Sequence, residues 1–131
     1  MGGKTTSGPV GRKLIRLAGL LAAVVLATAV LSGCSSSVSL DPTGATIIDV
    51  RTADEYAAGH LKGAINIDIY QANFMTEINK LPKDGKYIVY CKSGVRAGNA
   101  KSQMDAAGFK DVTSAGGIDD ASKKTGLPIV K

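Results

Sequence analysis

One histidine and two cysteines are the only imidazole and thiol groups in 131 residues. Two cysteines exclude a disulfide framework and a multi-cysteine zinc site. A Ser-His-Asp triad would have to be built on His60 alone. Acidic side chains are missing from residues 1–16, which hold Lys4, Arg12, Lys13 and Arg16. Those four carry most of the formal charge of +5; from Cys34 onward 12 basic and 11 acidic residues leave only +1. A general nucleic-acid-binding role therefore loses its support, because phosphate binding needs a concentrated basic face. Apolar content of 44% with 21% charged residues excludes a disordered chain. The length fits one domain.

The amino-terminal part reads as an address. After the basic residues, Leu17 to Leu31 contains no charged residue, and Ser32-Gly33-Cys34 follows. A basic start, a short apolar run and small residues before a cleavage point describe a secretory signal. The run is shorter than the roughly 20 apolar residues of a membrane-spanning helix. Leu31-Ser32-Gly33-Cys34 also resembles the lipobox of bacterial lipoprotein precursors. That resemblance implies a signal peptide over residues 1–33, a lipidated Cys34 as membrane anchor, and an exported protein on the outer face of the cell membrane or in the periplasm. An uncleaved anchor, or a soluble form cut elsewhere, is the alternative. Serine-rich residues 34–44 are then a flexible tether, and 45–131 the folded domain.

The folded part alternates strand and helix patterns. Thr46–Val50 is a β-branched run, Ala64–Ile67 a short strand, and Lys86–Tyr90 the clearest strand. Asp54 can cap a short helix over Glu55–Ala58, stopped by Gly59. Phe74, Ile78 and Leu81 have helical spacing, and Pro82 ends that segment. Arg96–Gly108 reads as a helix with Ala97, Ala100, Met104 and Ala107 on one face, and Asp111–Ala115 as a last strand ended by Gly116-Gly117. Such alternation predicts an α/β fold, a small parallel sheet flanked by helices. Its functional residues should gather at the carboxyl ends of the strands.

Cys91 sits at such an end, between the best strand and the best helix, followed by Lys92-Ser93-Gly94-Val95-Arg96. A loop curling over a helix start turns its N–H groups inward and makes an anion site. The same field favours thiolate, so Cys91 is expected to be an activated nucleophile. Lys92 and Arg96 add positive charge, and Gly94 permits a tight curl.

Cys-x-x-Gly-x-Arg after an apolar strand resembles the active-site loop of rhodanese-like sulfurtransferases. Ile48-Asp49-Val50-Arg51 through Tyr56 is similar to that family's Asp-x-Arg segment, and Gly59-His60-Leu61-Lys62-Gly63-Ala64-Ile65-Asn66 to its Gly-His-hydrophobic-x-Gly-Ala-x-Asn segment. Ala115-Gly116-Gly117 is similar to its paired-glycine turn. The likeness runs from about Thr46 to Pro128. The domain is shortened at its start, lacking an opening strand and helix, and no aromatic residue follows the glycine pair; Ala121 stands near that place. Both features resemble short single-domain proteins of the phage-shock-protein E type.

The resemblance implies a thiosulfate sulfurtransferase. Cys91 would take a sulfane sulfur from thiosulfate or a similar small anionic donor and pass it to cyanide, a thiol or a protein acceptor. The N–H groups from Lys92 to Arg96, with Ser93, Gly94 and Val95 in the loop, would hold the charged sulfur. Lys92 and Arg96 would attract the donor, and no metal or organic cofactor would be needed. Cys91 to Arg96 spans six residues, one fewer than the Cys-x5-Arg loop of related phosphatases and arsenate reductases. Such a phosphatase or reductase, a non-catalytic persulfide carrier or thiol-binding module, and a structural domain with an inert thiol are the alternatives. Asp49, Arg51 and His60 read as structural support: an ion pair or caps near a strand end, and a packing residue in a turn. Asp119 and Asp120 read as a solvated turn rather than a metal site.

Overall fold

In the strand Lys86–Cys91, burial alternates between two cores. Tyr87, Val89 and Cys91 join one cluster of buried side chains, and Ile88 and Tyr90 join another. Ala45–Asp49 does the same, with Ile48 on the first face and Ile47 on the second. Period-two alternation with both sets buried means that each strand is covered on both faces, as a central parallel strand is. The computed structural model, which describes residues 38–131 and Gly3, has this arrangement.

Its elements, in chain order, are β1 (Ala45–Asp49), α1 (Ala53–Ala58), β2 (His60–Leu61), β3 (Ile65–Asn66), α2 (Phe74–Ile78), β4 (Lys86–Cys91), α3 (Val95–Ala106), β5 (Asp111–Gly117), α4 (Ile118–Thr125) and β6 (Ile129–Val130). The four-stranded sheet has the order β3-β1-β4-β5 and every pairing in it is parallel. Phe74 and Ile78 of α2 and Ala97, Ala100 and Met104 of α3 cover one face, together with Phe109. Leu61, Ala64 and Ala121 cover the other, with Tyr56 and Ile118 packed against them. Helices thus flank a small parallel sheet, as the alternation predicts. Each fully buried aliphatic side chain here (Ile48, Leu61, Ile78, Ile88) contributes about 1.5–3 kcal/mol.

Several boundaries differ from the sequence reading. Thr52, not Asp54, caps α1: its hydroxyl accepts from the Glu55 N–H while the Glu55 carboxylate accepts from the Thr52 N–H, a reciprocal capping box. The helix after Asn73 stops at Ile78 rather than Leu81. β5 runs through Gly116-Gly117 instead of ending at Ala115. Asp119 and Asp120 are solvated as expected, but they stand in the first turn of α4, where carboxylates suit the helix dipole, and not in a loop turn. β2 and β6 form an antiparallel pair outside the main sheet, joining His60 to Val130 and Leu61 to Ile129. This pair fastens the carboxyl end of the chain to the segment after α1.

The approach to β1 is held to the domain. The Leu40 N–H donates to the Lys124 carbonyl at 2.8 Å, and Lys86 Nζ donates to the Asp41 carbonyl at 2.8 Å. The signal segment 1–33 and Cys34 lie outside the described residues. Among the described residues no helix is long and apolar enough to cross a membrane.

Candidate active site

The site forms where β4 ends and α3 begins. Cys91 closes β4 and pairs with Gly117, the last residue of β5. Between Val89 and Cys91 the β4–β5 register shifts: Val89 faces Ser114, while Cys91 faces Gly117. β5 therefore carries one extra residue here, a bulge that re-aims the strand end. The bulge brings Gly117 against the loop so closely that a Cβ there would lie 2.5 Å from the Lys92 carbonyl oxygen. Only a residue without a side chain fits.

The loop turns into α3 through Gly94, whose φ of +111° belongs to the region that L side chains avoid. That turn aims the Gly94 N–H at the thiol, donating to Cys91 Sγ at 2.9 Å. Cys91 is 1% exposed. The next N–H groups, of Val95, Arg96 and Ala97, belong to the first turn of α3 and have no intrahelical acceptor; the first helical bond is from the Gly98 N–H to the Gly94 carbonyl, 3.0 Å. Of the amides expected to converge on the thiol, Gly94's is the one in hydrogen-bond contact among the described residues. Lys92 and Ser93 are exposed beside it.

The hydrogen bonds of Arg96 go to Glu55 and not to the thiol. Its guanidinium makes a two-pronged pair with Glu55, Nη1 to Oε2 at 2.7 Å and Nη2 to Oε1 at 3.0 Å, and lies over the Tyr70 ring at 5.5 Å from the centroid. Hydrogen bonding from Arg96, opposed by burial and helped by the Thr52 N–H and hydroxyl, holds the Glu55 carboxyl down at about 2. The Arg96 guanidinium is held above its ordinary value by the same pair. The loop cation is thus largely neutralised by a carboxylate that sequence reading treated only as part of a short helix. Thr52-x-x-Glu55 was readable as a capping box; its second role was not.

Asp49 and Arg51 form a buried ion pair. Arg51 Nη2 lies 2.6 Å from Asp49 Oδ2, Nε 3.0 Å from Oδ1, and the Arg51 N–H donates to Oδ1 at 2.9 Å. Nη2 also donates to the Gly59 carbonyl at 2.6 Å. Asn66 Nδ2 donates to the carbonyls of Asp49 and Arg51, which fixes the carboxyl end of β1 against β3. His60 stacks on Tyr56 with centroids 3.8 Å apart and its Nδ1 lies 3.0 Å from the Tyr56 carbonyl. The buried Tyr90 hydroxyl accepts from the Leu61 N–H at 2.9 Å, and burial pushes that phenol up from its ordinary value.

On the far side of the loop, Lys124 Nζ donates to the Ala115 carbonyl at 3.3 Å. A Cβ at Gly116 would meet both Lys124 Nζ and Asp120 Oδ2 within 4 Å. No group of three or more His, Cys, Asp or Glu side chains stands close enough to hold a metal among the described residues.

The rhodanese-like domain family matches residues 38–124. The chain is 34% identical over 84 residues to the thiosulfate sulfurtransferase PspE of Escherichia coli K12, covering 64% of this chain and 77% of that one. It is 32% identical over 107 residues to the tRNA uridine(34) hydroxylase of Cronobacter sakazakii, covering 76% of this chain and 31% of the hydroxylase, so it spans about a third of that protein's length. Among solved structures it is similar to a rhodanese with anions from E. coli, with TM-score 0.55 and 32% identity over 66% of this chain and 98% of that one. A rhodanese-like domain from Anabaena sp. gives TM-score 0.58 and 29% identity over the same shares.

Proposed function

The chain belongs to the rhodanese-like domain family, and from that premise we propose that it is a sulfurtransferase in which Cys91 carries the sulfur. The observation that carries this reading is the 2.9 Å contact from the Gly94 N–H to Cys91 Sγ at the mouth of α3. A negative sulfur at that point meets a fixed amide donor and the positive end of a twelve-residue helix.

The chemistry is a pair of displacements. The Cys91 thiolate attacks the outer sulfur of thiosulfate; the new S–S bond forms as the bond to the sulfonate sulfur breaks, and sulfite leaves with that electron pair. Cyanide or a thiol acceptor then attacks the outer sulfur of the persulfide, and Cys91 leaves as thiolate. Lys92, exposed at the rim, attracts the anionic donor, while Ser93, Gly94 and Val95 shape the cradle. Arg96, fastened to Glu55, serves this scheme by anchoring the start of α3 to α1. Asp49, Arg51 and His60 support the strand ends.

We assign residues 1–33 as a signal peptide, Cys34 as the lipidated residue and the serine-rich residues after it as the tether, which gives way to the domain at Leu40, where the backbone bonds to Lys124, with the protein exported and held at the outer face of the membrane or in the periplasm. The Leu31-Ser32-Gly33-Cys34 sequence after an uncharged run supports this.

Intact-mass measurement of the full chain, with and without thiosulfate, tests both parts. One added sulfur on Cys91, lost in Cys91→Ser, is the expected result, with acyl chains on Cys34 in protein recovered from membranes. A thiosulfate-treated protein with no sulfur on Cys91 overturns the transfer reading; an unmodified Cys34 overturns the anchor.

A further inference from the structure

The two edges of the four-stranded sheet are unlike each other. β3 is two residues long and offers almost no ladder, whereas β5 offers seven residues. Among the described residues β4 is the only strand beside β5, and no backbone bond from outside the sheet reaches Thr113 or Ala115. Such an edge presents unpaired N–H and C=O groups to any strand that comes alongside. From Val112 to Gly117 it holds no charge and no proline to discourage one.

The side chains show which groups face outward. Ala115 lies in the bulge, unmatched to a β4 residue, and its carbonyl accepts from Lys124 Nζ at 3.3 Å. Period-two alternation then turns the backbone groups of Thr113 and Asp111 outward as well. Val112 joins the core under α3 and Ala115 the core on the α4 side, so the alternation holds through this stretch. Asp111, Thr113 and Ala115 therefore share the α4 side of the sheet.

We propose that the open edge of β5 pairs with β5 of a second copy of this chain, antiparallel about a two-fold axis at Thr113, joining two sheets into one. That register sets Asp111 of each copy opposite Ala115 of the other, on the same face, where the Lys124 ammonium lies. The axis repeats the pair, as a two-fold interface does. Neither Asp111 nor Lys124 has an ion-pair partner among the described residues. Lys86, matched to Asp111 on β4, gives its Nζ to the Asp41 carbonyl instead. Opposite charges across paired strands favour the pairing, and identical chains supply both here. The ladder spans about five residues, which places the dimer among small, reversible interfaces.

The test reads the axis. A cysteine at position 113 stands about 5.5 Å, Cα to Cα, from its symmetry mate, within disulfide reach. In the full chain carrying Cys91→Ser and Thr113→Cys, mild oxidation should link 113 to 113, identified by mass spectrometry of the joined peptides. The yield should be about ten-fold that of Ser102→Cys, an exposed control on α3 in the same background. Adding Asp111→Lys should lower the 113 yield about ten-fold, and adding Lys124→Asp to that variant should restore it. In the unsubstituted chain, amide hydrogen exchange at Thr113 and Ala115 should slow as protein concentration rises about a hundred-fold. A 113 yield no higher than the control overturns the pairing and leaves Lys124 as a guard of a bare edge. Slow exchange that ignores concentration means that the edge is closed within one chain, and overturns it too. A yield indifferent to both charge changes overturns the Asp111–Lys124 register.

Discussion

Glu55→Gln isolates the charge of the Glu55–Arg96 pair. The amide still offers an oxygen to the Thr52 N–H, so the cap of α1 survives, but the partner of Arg96 is neutral. A carboxyl that ionises near 2 rather than near 4.5 contributes at most about 3.4 kcal/mol at neutral pH. Water reaches both side chains, Arg96 at 17% and Glu55 at 27% exposure, and screening brings the contribution to about 1–2 kcal/mol. For a domain of this size that lowers Tm by roughly 5–15 °C. The pH dependence follows from the direction of the shift. The unfolded carboxyl takes up a proton near 4.5 while the folded one stays ionised down to about 2. The stabilisation is therefore complete above about pH 5 and fades as pH falls toward 2; more than half is gone near pH 3 on the same linkage. Urea unfolding at pH 7, 5, 4 and 3 reads this directly. The gap between the two proteins should close as acid is added. Equal stability at pH 7, or a gap that persists undiminished at pH 3, refutes the ion pair as the cause.

Three further outcomes follow from the site. Cys91→Ser should abolish thiocyanate formation from thiosulfate and cyanide while unfolding within about 1 kcal/mol of the parent, since the change is small and the core partners remain; retained turnover places the chemistry elsewhere. Gly117→Ala forces a methyl group toward the Lys92 carbonyl, 2.5 Å away, and should cost about 1–3 kcal/mol in urea unfolding and slow alkylation of Cys91 by iodoacetamide as the loop shifts; unchanged values of both refute the close contact. Asp49→Ala leaves the Arg51 guanidinium buried without its carboxylate and should cost about 3–5 kcal/mol, so a loss below 1 kcal/mol by the same measurement shows that Arg51 finds another partner.

The parts of the fold legible in the sequence are those with local signals. β4 shows as an unbroken apolar run, and the loop after it as Cys-x-x-Gly-x-Arg. β2 and β6 are two residues long, too short for any periodicity, and they pair across a separation that only the folded chain closes. α4 hides behind its charges: Asp119-Asp120 and Lys123-Lys124 look like a solvated segment. Yet Ile118, Ala121 and Thr125 stand at helical spacing and face the core, so a pattern was present in small residues. The Arg96–Glu55 pair spans 41 positions and joins two elements on the same edge of the sheet. A local reading gives Arg96 to the anion because the loop is all it can see.

That pairing changes where the positive field at the thiol arises. Arg51 is committed to Asp49, and Arg96 to Glu55. Lys92 is exposed, and its charge is screened over about 8 Å at physiological salt. What stays fixed and close is the Gly94 N–H at 2.9 Å and, behind it, the first turn of α3, worth about half a positive charge. On the proposed chemistry, the two kinds of charge then act at different steps. Lys92 raises the encounter rate of an anionic donor, an effect that salt weakens. The amide and the helix end act on the sulfur already bound to Cys91, inside a site that solvent hardly enters, where salt has little reach. Gly94 and Gly117 are what make this possible: one turns the amide onto the sulfur, and the other lets β5 lie close enough to hold that turn in place.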